Sequence, residues 1–300
     1  NSSQNTVLNS SSSWFNKYEM VKESPDGLFR GVTDRFNGIT VDSKLEPCEN
    51  GNFRDILTKS LDYWIETKRR GIWFKVHLEN SSWVPILVEN QFKYHHANDN
   101  FVMLYRWLPK HESANIPPYS HTMLGVGALV VNDKNQVLVV SEKYALIKNS
   151  WKLPGGYVEP NENFIDAAVR EVLEETNIRT KFETIIALRH AHGAGFNCSD
   201  LYIVIALRPE TDSITKCERE IEKCEWMDID TYLNHPNVHE TNRNFVRMYC
   251  NYKKNGIKIQ CKEEVHQILK KRYNIYSIVT NDKDDDDTSV DNDSQQLNKL

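Results

Sequence analysis

Apolar positions in the first third of the chain recur in two periods. Phe53, Ile56, Leu57, Leu61, Trp64 and Ile65, with Ser60 in the same stripe, step by three and four residues and predict an amphipathic helix. Arg69, Arg70 and Gly71 supply a basic last turn and a stop signal. The runs IWFKVHL, WVPILVE and FVMLYRWL, parted by Asn, Ser and Asp turns, are predicted as strands, so this stretch reads as a small α/β unit. PKHESANIPPYS, with its prolines, marks a linker. Beyond it HTMLGVGALVV and QVLVVSE flank NDKN and predict a hairpin. TIIALRHAH and LYIVIALRP are expected as strands around GAGFNCSD, EKCEWMDI as another, and TNRNFVRMYC as a helix packed through Phe245, Val246 and Met248. The pattern divides the chain into a Ser/Asn-rich, disordered segment 1–27, an α/β domain 28–110, a linker 111–120, a second domain 121–275 and an acidic, disordered tail 276–300. The tail's KDDDDTSVDND is expected to be solvated rather than metal-binding.

Composition changes this picture little. The 300 residues are 39% hydrophobic and 26% charged, an ordinary balance with material for a core. The net charge of −5 argues against DNA or a membrane surface as partner, and no apolar run is long enough to span a bilayer. Cys48, Cys198, Cys217, Cys224, Cys250 and Cys261 are irregularly spaced and expected as free thiols. Nothing around Cys217 or Cys224 suggests a depressed pKa. The chain starts Asn1-Ser2-Ser3 and is expected to be a processed form. A cytoplasmic location is expected, with mitochondrial and secreted ones left open.

The chemistry concentrates in Gly155–Glu175, GGYVEPNENFIDAAVREVLEE. Asn163 is the expected N-cap, and Asp166 suits the positive end of the helix dipole. Ile165, Ala168, Val169 and Val172 form a stripe for a core, and Glu171, Glu174 and Glu175 a second stripe about a third of a turn away. An oxygen-only set suits a hard cation, Mg²⁺ or Mn²⁺. Arg170 can pair with Glu174 or orient a neighbouring carboxylate, and Glu162 is placed to join the cluster. A solvated acidic face is the bland alternative, but too few cations are interleaved for a salt-bridge ladder. In addition, WKLPGG sets glycines where phosphate oxygens can approach.

Gly156, Glu162, Arg170-Glu171-Val172 and Glu174-Glu175, at these spacings, resemble the Nudix box. A chance match in a chain of this length has a probability on the order of 10⁻⁵ at average residue usage. Asn177 stands where the box expects glycine, and asparagine tolerates the left-handed conformation glycine supplies there. RGIWFKVHL, FKYHHANDNFVMLYRWLP, WKLPGG, SDLYIV and CEWMDI extend the resemblance to the animal antisense-basic-fibroblast-growth-factor type of Nudix protein. They also resemble the plant Nudix enzymes of ADP-ribose and NADH.

The resemblance implies a Nudix α/β/α sandwich with a mixed sheet, preceded by a small α/β pre-Nudix domain. It implies hydrolysis of a nucleoside diphosphate derivative, with ADP-ribose or NADH the favoured class. Mg²⁺, or Mn²⁺, would be held by Glu171, Glu174, Glu175 and the Gly156 carbonyl, with Arg170 holding Glu171 and Glu162 supporting the cluster and substrate. Glu171 and Glu220 are the candidates for general base. Trp151, Phe196 and Tyr202 are candidates to stack a base. A homodimer through the first domain is expected. A Nudix fold used only for binding, and an RNA cap hydrolase, are the alternatives; the acidic balance counts against the second. The SQPWPFP stretch of NADH-type enzymes and the LLTxR-type sequence of the coenzyme A class are absent. His95-His96 are expected on opposite faces of a strand, and His190 and His192 on one face, neither pair with a third ligand.

Overall fold

The computed structural model describes residues 26–46, 48 and 51–279. The disorder expected of 1–25 and 280–300, and the acidic run in the tail, lie outside the described residues. The chain divides into two compact units, Asn1–Ser120 and His121–Leu300.

In the first unit the elements run β1 (Val32–Thr33), β2 (Ile39–Asp42), α1 (Phe53–Glu66), β3 (Gly71–His77), α2 (Trp83–Glu89), β4 (Lys93–Ala97) and β5 (Phe101–Trp107). They build one sheet in the order β1-β2-β3-β5-β4, with β2 and β3 parallel and joined through α1. Period-2 alternation turns Ile72, Phe74 and Val76 to one face, where Phe53, Leu57, Leu61 and Trp64 of α1 meet them in the core. Ile65 lies on the solvent side, and the helix ends at Glu66, so Gly71 opens β3 instead of stopping the helix.

WVPILVE, expected as a strand, is the helix α2. A short continuous apolar run carries no period that separates the two states. Pro85 is tolerated in a first turn, and Trp83 and Leu87, four residues apart, are both fully buried. The two histidines do not sit on opposite faces either. A register shift between Tyr94 and His96 brings His95 Nδ1 to 2.7 Å from His96 Nδ1.

The second unit contains β6 (Thr122–Val130), β7 (Gln136–Glu142), α3 (Phe164–Thr176), β8 (Thr180–Ala191), β9 (Ser199–Pro209), β10 (Ile221–Asp228), α4 (Ile229–Asn234), α5 (Glu240–Asn255), β11 (Lys258–Val265) and β12 (Arg272–Val279). β6, β9 and β8 form a mixed sheet, β6 parallel to β9 and β8 antiparallel to it. Val126, Ala128 and Val130 of β6, with Ile203, Ile205 and Leu207 of β9, pack on Ala167, Ala168 and Val172 of α3. The alternate residues Leu129, Val204 and Ala206 pack with Phe245, Val246 and Tyr249 of α5. The result is an α/β/α sandwich, as expected. Met248 is 47% exposed and takes no part in that core; Tyr249 has the place assigned to it.

NDKN turns the chain, but β6 and β7 share only the Val131–Val137 bridge and then part into different sheets. β7 pairs with β10 along one edge and bridges Lys152 from Val140 on the other. The second-domain boundary at 275 cuts a strand, because residues 276–279 complete β12 and pair with β11.

Candidate active site

The loop WKLPGG lies against β6. Ala128 N–H donates to the Pro154 carbonyl at 2.8 Å and Val126 N–H to the Gly156 carbonyl at 2.8 Å. Gly155 has φ +150°, and a Cβ there would lie 2.1 Å from the Val126 oxygen, so only glycine fits. At Gly156 a Cβ would lie 2.6 Å from Glu171 Oε1. The glycine pair thus lets the backbone and the α3 carboxylates share one small space. The Gly156 carbonyl, expected as a metal ligand, keeps one lone pair beyond its bond to Val126.

Helix α3 starts after Asn163, whose side chain bonds Asp166 Oδ2 at 2.8 Å, and ends at Asn177 with φ 59° and ψ 19°. Asparagine there does adopt the left-handed conformation expected of it.

Arg170 organises the acidic stripe. Its Nε and Nη2 donate to the two oxygens of Glu162 at 2.8 and 2.9 Å. Nη1 reaches Glu171 Oε1 at 2.8 Å and Glu174 Oε2 at 3.2 Å, and Nη2 also reaches the Tyr157 carbonyl at 3.1 Å. All five guanidinium N–H groups are therefore engaged. Glu162, chiefly through Arg170, lies below its ordinary pKa, and Arg170 is raised by Glu162 first. Glu162, expected to support the cluster and the substrate, has its carboxylate bound by Arg170 and by the Glu159 N–H at 3.0 Å. One arginine supplies much of the positive charge the sequence seemed to lack.

Glu175 points away from Arg170. It is 5% exposed and accepts the Gly155 N–H at 3.0 Å. Burial pushes its carboxyl up to about 7; the Lys152 ammonium and the Gly155 bond oppose that, while Glu171 and Glu142 add to it. Lys152 forms an ion pair with Glu142 and lies 3.4 Å from the Gly155 carbonyl. Neither Lys152 nor Glu142 was singled out from the sequence. The available signal was the lysine inside WKLPGG, three residues before its first glycine.

Among the described residues, no three or more His, Cys, Asp and Glu side chains are gathered closely enough to form a finished metal cage. Two of the stripe's acids are held by Arg170 and the third by Gly155. The donors nevertheless fit a hard divalent ion: they are all oxygens, and Gly156 leaves room where any other residue would press on Glu171.

Tyr202 adjoins the site, its ring beside Gly125 and the Gly156 carbonyl, whereas Glu220, Phe196 and Trp151 do not join the box acids. The Glu220 carboxylate pairs with Arg219 at 2.6 Å, at the start of β10, and none of its bonds joins the box acids. Phe196 is 96% exposed in the β8–β9 turn, with φ 57°. Trp151 is buried in the α5-side core and edges a cleft of about 540 Å³ lined also by Asn149, Glu225, Met227, His235 and Asn237. No box carboxylate lines that cleft. Trp151 and Lys152 are neighbours in an extended segment, so their side chains leave on opposite sides, only that of Lys152 toward the box. The Tyr202 ring lies over Gly127 and beneath the Arg189 guanidinium, 4.8 Å away. His190 and His192 do share a face, their rings 4.6 Å apart. Burial pushes the Cys224 thiol up to about 12, the opposite of activation. No helix among the described residues is long and apolar enough to cross a membrane.

The Nudix hydrolase domain family matches residues 29–108, and the NUDIX domain family matches residues 121–249. Nudix hydrolase 8 of Arabidopsis thaliana is 38% identical over 220 residues, 73% of this chain and 59% of that protein. Nudix hydrolase 2 of the same plant is 34% identical over 241 residues, 79% of this chain and 86% of that protein. The human protein called nucleoside diphosphate-linked moiety X motif 6 is 32% identical over 218 residues, 70% of this chain and 69% of that protein. Both units of the chain are matched, and on these identities the chain belongs to the Nudix hydrolase family.

Proposed function

We propose that this chain hydrolyses the diphosphate bond of nucleoside diphosphate derivatives, ADP-ribose or NADH by preference, giving a nucleoside monophosphate and a phosphorylated second product. The observation that carries the proposal is the set Glu171, Glu174 and Glu175 on α3, beside a loop in which Gly155 and Gly156 let the backbone come close to Glu175 and Glu171. Glu171, Glu174 and Glu175 would hold Mg²⁺, with Mn²⁺ as substitute, to offset the charge of the diphosphate and to acidify a water. Arg170, anchored on Glu162, keeps Glu171 aimed at the glycine loop. Water attacks one phosphorus, its proton passes to Glu171, and the bridging P–O bond breaks with the electron pair leaving on the second phosphate. The first unit is proposed to pair two copies of the chain; light scattering on the eluting protein tests this, and a monomer at micromolar concentration overturns it.

The test of the activity is product release with Mg²⁺ from ADP-ribose, NADH, coenzyme A, a diadenosine polyphosphate and capped RNA. Wild type runs beside Glu174→Gln and Glu175→Gln. Turnover of one class, lost by at least about a hundredfold in both variants, is expected for groups that stabilise only the transition state. Tight binding of ligands without turnover of any would assign the carboxylates to binding alone.

A further inference from the structure

We infer that Lys152 is the protein's own cation for the diphosphate, and that Glu142 is the carboxylate that holds it ready. The inference rests on the hydrolase reading above and adds two residues outside the box. Five carboxylates, Glu142, Glu162, Glu171, Glu174 and Glu175, surround the glycine loop or its flanks, an unfavourable surface for a polyanion. Two cations contact them. Arg170 has every N–H engaged on Glu162, Glu171, Glu174 and the Tyr157 carbonyl, so it can reach a phosphate only by releasing an acid. Lys152 differs. Its ammonium has three donors, meets Glu142 and lies a long 3.4 Å from the Gly155 carbonyl, while its side chain stays partly open to solvent.

The backbone fixes where that ammonium reaches. Val140 and Lys152 exchange both hydrogen bonds, 3.0 and 2.9 Å, which ties the root of Lys152 to β7 two residues before Glu142. The flexible stem then spans from Glu142 to the glycine loop, where Gly155 touches Glu175. Neighbouring cations point elsewhere: Lys143 to Glu218, and Arg189 to Asp200 and the Tyr202 ring. A compact ammonium on a four-carbon stem can move from one carboxylate to a phosphate oxygen without disturbing the fold. Without substrate Glu142 holds the ammonium, and a diphosphate that enters has to compete with Glu142 for it.

That competition gives the two residues effects of opposite sign, which a purely structural ion pair would not do. The experiment titrates α,β-methylene-ADP and, separately, adenosine into the full chain, with EDTA and with Mg²⁺, following heat. In EDTA, Lys152→Met should weaken binding of the diphosphate analogue by tenfold or more, as expected for loss of a charge-assisted bond, and leave adenosine unchanged. Lys152→Arg should keep most of the affinity. Glu142→Gln should tighten binding of the analogue, about threefold, because it removes a rival charge. Equal affinity in wild type and both Lys152 variants, or weakening in Glu142→Gln, would overturn the assignment while leaving the hydrolase reading intact. If wild type binds neither compound with or without Mg²⁺, the hydrolase reading fails and takes this inference with it. A thermal melt of each variant checks folding, and the sign of the Glu142→Gln effect carries the test if Lys152→Met does not fold.

Discussion

Arg170 and Glu162 meet through two parallel hydrogen bonds of 2.8 and 2.9 Å, eight residues apart in the chain and on different elements. This fork couples the loop before α3 to the middle of the helix, and from it the guanidinium spreads to Glu171 and Glu174. Lysine cannot reproduce a planar five-donor fork. Arg170→Lys is therefore expected to lower kcat/KM by about a hundredfold, with Glu162→Gln losing less, since Glu162 acts only through the arginine. Equal losses in the two variants would place Glu162 at the substrate instead.

Glu175 gives the protein without metal an unusual pH dependence. Its carboxyl is raised from 4.5 to about 7 in the folded chain, chiefly by burial, so the folded state binds the proton more tightly than the unfolded one. Stability then falls as pH rises from about 4.5 through 7, by up to about 3 kcal/mol, and stays low above that. Urea unfolding in EDTA at several pH values should show this slope in wild type and its loss in Glu175→Gln. Parallel profiles would remove Glu175 as the cause.

The two glycines of the loop should separate fold from chemistry. At Gly155 an added Cβ meets backbone, the Val126 oxygen at 2.1 Å, and φ is +150°. Gly155→Ala is expected to cost several kcal/mol, on the order of 3, in unfolding experiments. At Gly156 the obstacle is the end of the Glu171 side chain, at 2.6 Å, which can swing aside. Gly156→Ala should leave the melting temperature nearly unchanged and abolish most of the turnover. Similar effects of both substitutions on stability would contradict this division.

Asn177 closes α3 with φ 59°. Asn177→Gly is expected to stabilise the chain by a few tenths of a kcal/mol and Asn177→Ala to destabilise it by about 1, since alanine resists the left-handed conformation. Thermal melts of the pair, with wild type between them, check the order.

Where a single element carried its own signal, the sequence was enough. Helix α3 combined an apolar stripe with spaced acids, so both its packing face and its chemical face were legible before any fold was known. Glu142 was not legible, because a lone acid at a strand end becomes part of the site only when β7 accepts Lys152 as a neighbour. The same holds for the parting of β6 and β7: NDKN encodes a turn, whereas the choice of β10 as partner comes from packing of the whole unit. In α2 the seven-residue run was too short to reveal its period, and tertiary burial of Trp83 and Leu87 decided it. The bulge beside His95 depends on the register with β5, which no local pattern specifies.

The last described hairpin bears on how much chain a working enzyme requires. Tyr276 of β12 lies with its ring 4.2 Å from that of Phe164, the first residue of α3, and Ile259 of β11 exchanges hydrogen bonds with Thr184 Oγ. Both lie past residue 249, where the family match stops. A chain trimmed to the matched segment would keep every box residue yet uncover the root of the helix that bears them. The hairpin thus serves as a buttress, one strand set against the start of α3 and the other against β8.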